Sequence, residues 1–215
     1  MIRLMVQGMT SLALGFALAL GAIAAQPRDD AAMRAFFAPP NCSAPCFLGI
    51  RPGVTTVQQA IALLQAHPWV TGIGDAGREP PSHPQDYSNI VWNWNGQQPD
   101  FLAAGDADDP PYLHINNGIV QYIRLVTRIP YGDAWLTIGA PTRETLIVGG
   151  DSAIQSASYL GGKLVFDSKI VCPMKPGVVW NTPISITYSD GSTTAYYSQS
   201  VFHLDRAYYH SKCPA

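Results

Sequence analysis

Charge is what this sequence has least of: 13% of its 215 residues are Asp, Glu, Lys or Arg, and no basic run occurs. Nucleic-acid binding relies on clustered cations that displace phosphate counterions, so that partner class is disfavoured. Beyond residue 25 no stretch is long and apolar enough to cross a bilayer. No tight C-x-x-C pair and no G-x-S-x-G elbow is present, which argues against a zinc ribbon and against an α/β-hydrolase. Cysteine is scarce too, with four in the chain.

The first residues carry the clearest positive signal. Arg3 supplies a basic start, and an apolar stretch rich in Leu, Ala and Gly runs from Ser11 to Ala25. Ala22-Ile23-Ala24 is an A-x-A-like cleavage site, after which polarity returns at Gln26. This order is that of a secretory signal peptide over residues 1–25. The same stretch, taken as residues 4–25, is also long enough to serve as an uncleaved membrane anchor. Without Arg3, the balance of 13 Lys+Arg to 15 Asp+Glu becomes one charge more negative. The remainder, roughly 190 residues, is a normal size for one domain.

Cys42, Cys46, Cys172 and Cys213 all follow the apolar segment. An even count in an exported chain implies two disulfides. Four cysteines allow three pairings, among them Cys42–Cys46 with Cys172–Cys213, or a cross-pairing that ties the N-terminal arm to the tail.

After a Pro-rich entry at residues 26–41, read as flexible, Thr55 is placed to cap a helix, with Gln58 completing a capping box. Val57, Ala60, Ile61 and Leu64 fall on one face at helical spacing, and His67-Pro68 ends the helix. The period then becomes two. Ile90, Trp92 and Trp94 alternate with Val91, Asn93 and Asn95 up to an Asn95-Gly96 turn. Tyr112 to Arg128 reads as a hairpin around Asn116-Asn117-Gly118.

The scheme restarts 74 residues on: Tyr131, Ala134, Trp135 and Ile138 repeat the first apolar stripe, and Gly139-Ala140-Pro141 stops the second helix. Strand-like runs follow at 144–148, 156–160, 163–166 and 178–188. The expected fold is therefore α+β, with two tandem short-helix-plus-antiparallel-sheet modules stapled by disulfides. Their spans are 42–128 and 129–215.

The string Cys42-x-x-Pro45-Cys46-x-x-Gly49-Ile50-x-Pro52-Gly53-x-Thr55-Thr56, followed by Ala60 and Leu63-Leu64, resembles a known block. It is that of a family of uncharacterised exported bacterial proteins opening with C-x-x-P-C-W-x-G-I-x-P-G-x-T. Here Phe47 stands where those proteins carry tryptophan. That resemblance implies no catalytic residues. A more distant likeness is to the helix-plus-sheet modules of β-lactamase inhibitor protein and outer-membrane-assembly lipoproteins. These share a P-G-x-T helix start and a G-x-P helix end, and the likeness implies protein binding through an exposed sheet face or loops.

Several constellations invite chemistry. Gly150-Asp151-Ser152 after an apolar run looks like a G-D-S lipase nucleophile block, with Asp205, His203 and His210 as partners for Ser152. Asp205 and His210 are five apart, where such enzymes place three, and the antiparallel signals around Ser152 favour a turn. Asp106-Ala107-Asp108-Asp109 lacks the glycine and the final glutamate of a calcium loop. Tyr196-Tyr197 and Tyr208-Tyr209 must each turn one ring outward if extended, which makes them candidates for a binding patch. The resulting expectation is a non-catalytic extracytoplasmic module, without cofactor or metal, that binds a protein or envelope polymer. A secreted serine hydrolase built on Ser152 is the alternative.

Overall fold

A computed structural model describes residues 14–17, 31–39, 42–43, 45–75, 89–103, 109–149, 152–172 and 177–191. The chain divides into two units, Met1–Ala32 and Met33–Ala215. In the first, residues 14–17 are helical and exposed. No helix among the described residues is long and apolar enough to cross a membrane.

In the second unit eight strands form one antiparallel sheet, in the order β1-β2-β3-β4-β8-β7-β6-β5. They are β1 (Val70–Asp75), β2 (Asn89–Trp94), β3 (Tyr112–Asn116), β4 (Ile119–Pro130), β5 (Arg143–Gly149), β6 (Ser152–Tyr159), β7 (Leu164–Val171) and β8 (Pro183–Ser189). The helices are α1 (Ala31–Phe37), α2 (Val57–Ala66), α3 (Tyr131–Ile138) and the single turn α4 (Val178–Asn181). The class is α+β, dominated by strand.

Helix α2 begins where its apolar stripe begins. Its N-cap is Thr56, whose side chain accepts from the Gln59 amide while Gln59 reaches back to the Thr56 amide. This is one residue later than Thr55 and Gln58, because Thr55 Oγ1 instead accepts from the Arg51 amide at 2.8 Å and closes the preceding turn. Val57, Ala60 and Leu64 are fully buried, and Ile61 packs partly buried at the margin. His67 before Pro68 is extended and ends the helix.

Helix α3 starts at Tyr131, at the expected offset from Val57. Tyr131 and Ala134 are buried, while Trp135 and Ile138 are partly buried. Gly139 ends it with φ 91° and ψ −169°. Such a positive φ is open to glycine and strained for a residue with a Cβ.

The Tyr112–Arg128 hairpin forms, with Asn116 paired to Ile119 across the turn residues Asn117 and Gly118, both at positive φ. Four other expectations need correction. Residues 31–37 are not a loose entry, since they form α1 and Phe37 is buried. Strand β1, interrupted by Gly72 and Gly74, was not anticipated. Strand β6 begins at Ser152 rather than 156, because pairing with β5 and β7 extends it through its small residues. Residues 178–188 are not one strand: 178–181 turn as α4, and β8 starts at Pro183. Trp180 packs over α3 there, and that contact outweighs the β preference of Val178-Val179.

The core lies on the helix-bearing side. Phe47 stacks on Trp92 at 6.4 Å and on Tyr188 at 6.1 Å, and Phe37 lies against Phe166 at 5.3 Å. Residues directly opposite in a sheet share a face, so the strand registers also fix which side chains occupy the other side.

Candidate functional site

Opposite the core, three cross-strand rows of side chains line up. The longest crosses all eight strands: Gly74, Val91, Tyr112, Arg124, Thr187, Val165, Ser158 and Arg143. Beside it run Val126, Ser185, Asp167, Ser156 and Thr145. On its other flank run Asn89, His114, Tyr122 and Ser189. Where the core face reads Leu, Ile, Phe and Trp, this face reads Tyr, His, Ser, Thr, Arg and Asp.

Two clusters stand out on it. In the first, His114 stacks on Tyr122 with centroids 4.8 Å apart and 22° between planes, and Tyr112 meets Tyr122 edge-on at 5.9 Å. His114 Nδ1 is 3.0 Å from Asn89 Oδ1, which fixes the ring plane. Burial lowers the His114 pKa below its ordinary value, so the ring is held neutral at pH 7.

In the second cluster Arg124 is the hub. Its guanidinium lies 3.6 Å from Asp109 Oδ1 and 3.7 Å from Asp167 Oδ2, and Nη2 donates to Ser185 Oγ at 3.4 Å. Ser156 donates to the other Asp167 oxygen. Asp167 is only 8% exposed. Burial pushes its carboxyl above the usual aspartate range, while Ser156 and Arg124 pull it back. Asp109 ends the acidic loop that composition suggested for an ion, and here its carboxylate faces Arg124. No group of three or more His, Cys, Asp or Glu is placed to hold a metal among the described residues.

A third cluster lies on the helix side. Tyr131 donates to Glu144, and Tyr159 lies close by, its phenol pushed up to about 12 chiefly by burial and then by the Glu144 charge. Trp180 meets Trp135 edge-on at 5.6 Å and covers Gly132, where a Cβ would come within 2.7 Å of the indole.

The residues singled out from sequence fare unevenly. Cys42 and Cys46 are bridged to each other, and Cys172, just after β7, is also disulfide-bonded. Cys213 lies outside the described residues, as do Tyr196, Tyr197, Tyr208, Tyr209, His203, Asp205 and His210. Ser152 opens β6, half-buried, paired with Gly149 on one side and Val171 on the other. It is thus a strand residue beside a hairpin connection. His114, Arg124 and Asp167 escaped the sequence reading. Their signal was present in the alternation of Leu113, Ile123, Leu125 and Phe166 with polar neighbours, but which neighbours meet depends on strand order.

These features define an antiparallel α+β protein with an apolar, helix-bearing face and a polar, aromatic second face, along which Ser156, Val165, Asp167, Thr187 and Ser189 are buried and Tyr112, His114, Tyr122 and Arg124 half-buried. No family model, curated protein or solved structure matches the chain.

Proposed function

We propose that the chain is a non-catalytic, exported binding protein whose polar sheet face docks another protein or an envelope polymer through its half-buried rings Tyr112, His114 and Tyr122. The observation that carries this reading is the Tyr112–His114–Tyr122 cluster beside the Arg124–Asp167 pair, midway across a sheet eight strands wide. Rigid aromatic rings give large contact area at low entropic cost, and a pre-formed charge pair orients a partner. Export is supported by the basic-then-apolar start of the sequence and is compatible with the Cys42–Cys46 bridge. The resemblance to exported proteins with the C-x-x-P-C block, and to helix-plus-sheet inhibitor modules, points the same way.

The reading includes two tandem modules. Each opens on a helix and contributes four strands, the second with the turn α4 set before β8, and the two are joined through their last strands. Support comes from the strand order, in which β1–β4 and β5–β8 run inward from opposite edges to meet at β4 and β8. The offset between the starts of α2 and α3 agrees.

The test is capture from the native cell envelope with the mature protein, alongside Tyr112→Ala and Tyr122→Ala. Each ring loss should weaken retention of the partner by about tenfold, on the order of 1–2 kcal/mol, without changing the melting temperature. Equal retention by both variants overturns the reading. Ester hydrolysis that disappears in Ser152→Ala would instead establish the hydrolase.

A further inference from the structure

The two edges of the sheet are built differently. Strand β1 is six residues long, carries Gly72 and Gly74, and slips register between Thr71 and Ile73. Such irregularity blunts an edge against pairing. Strand β5 has no such device. Its seven residues pair with β6 without interruption from Arg143↔Ser158 to Gly149↔Ser152. Its centre reads Thr145-Leu146-Ile147-Val148, with neither proline nor lysine, and no second strand pairs with it among the described residues. On the polar face, Ile154 of the neighbouring β6 is 39% exposed and Val171, at the end of β7, 67%, and Ile147 sits directly across from Ile154. An edge offering strand-spaced amides and carbonyls accepts an extended strand, and a flat apolar one favours it most.

We propose that β5 pairs antiparallel with β5 of a second copy of this chain, joining two sheets edge to edge. The strand can pair with itself about Leu146 without a charge clash. A twofold axis there sets Thr145 opposite Ile147, Glu144 opposite Val148 and Arg143 opposite Gly149, so no like charges face each other. Ile147 of each copy then lies between its own Ile154 and the other copy's Thr145. This contact is independent of the polar-face binding reading, which stands or falls on Tyr112 and Tyr122.

Analytical ultracentrifugation of the mature, disulfide-intact protein over a concentration series tests it. A reversible dimer is expected. Ile147→Lys should raise its dissociation constant tenfold or more, about 1.4 kcal/mol, by setting a charge in the joined strands. Thr145→Lys, at a smaller and half-exposed position, should do the same and serves if Ile147→Lys folds poorly. Thr71→Lys on the β1 edge should leave the dimer intact. A wild-type monomer at every concentration overturns the proposal. So does a dimer that survives both β5 lysines, or one that Thr71→Lys breaks instead.

Discussion

Helix α2 meets β1 and β4 through Val57, Ala60 and Leu64, all at 0% exposure, and its first turn is closed by a reciprocal capping box. Helix α3, two residues shorter, has Pro130 at its N-cap and no side-chain cap, and its Trp135 and Ile138 are only partly buried. The half that α3 serves relies instead on rings packed edge-on or tilted against one another: Tyr131, Trp135 and Trp180, the last 47% exposed. The strands differ in the same sense. Strand β2 buries Ile90 and Trp92, whereas β6 buries Ala153 and Ala157, with Tyr159 only at its end. The two ends of the sheet are therefore packed unequally. The half with larger enclosed side chains should carry more of the stability, since burial scales with apolar area removed from water.

Substitutions sharpen or break that contrast. Trp92→Ala, at 1% exposure, should cost about 3–5 kcal/mol in chemical denaturation. Trp135→Ala, half-buried, should cost roughly half as much. A Trp135→Ala cost equal to that of Trp92→Ala would erase the asymmetry. Next comes Gly132→Ala. Its Cβ would press on Trp180 at 2.7 Å and on the Trp180 carbonyl at 3.1 Å, so α4 must shift, at about 1–3 kcal/mol. Near-UV circular dichroism of the Trp135–Trp180 pair should change with it. Thr56→Ala, which removes the α2 cap, should cost about 1 kcal/mol by thermal melting.

Tyr188→Phe runs the other way. Among the described residues the buried Tyr188 hydroxyl has no hydrogen-bond partner, and burial raises its pKa far above normal. Removing it should be neutral or stabilising by up to about 1 kcal/mol, read from the denaturation midpoint.

The smallest effect is in the pH profile. Asp167 has a folded pKa raised above 3.8, so the native state keeps a proton that the unfolded chain has released. Stability should fall as pH rises through that window, and Asp167→Asn should flatten this limb. His114 has a folded pKa lowered below 6.5, so the unfolded chain takes up a proton the native ring refuses. Its contribution is present above pH 6.5 and is lost as pH falls through the window below it; His114→Gln should remove that slope.

The sequence by itself determined the local pieces. Val57, Ala60 and Leu64 at helical spacing, Pro68 as a stop, the alternation around Ile90 and Trp92, and Asn117-Gly118 as a turn are all short-range signals. They act through sterics and amphipathic period, so neighbours in sequence suffice to read them. The two α-helix starts, the β3–β4 hairpin and the even cysteine count were legible for that reason. The shift of the α2 cap by one residue was not, since Thr55 and Thr56 are equally able to cap and only the Arg51 amide decides between them. Strand β1 and the turn at Val178–Asn181 were illegible as well. Glycines weaken the strand signal in one, and the contact of Trp180 with α3 overrides β-branched preference in the other.

Only the tertiary structure decided the polar face. Arg124, Asp167 and Ser156 sit on β4, β7 and β6, and nothing in their sequence spacing brings them together. The cause is the return of β8 to pair with β4, which sets β7 and β6 beyond it and aligns the rows. Such pairing is governed by burial of whole strand faces across long loops. It is a sum over the sheet that no local window contains.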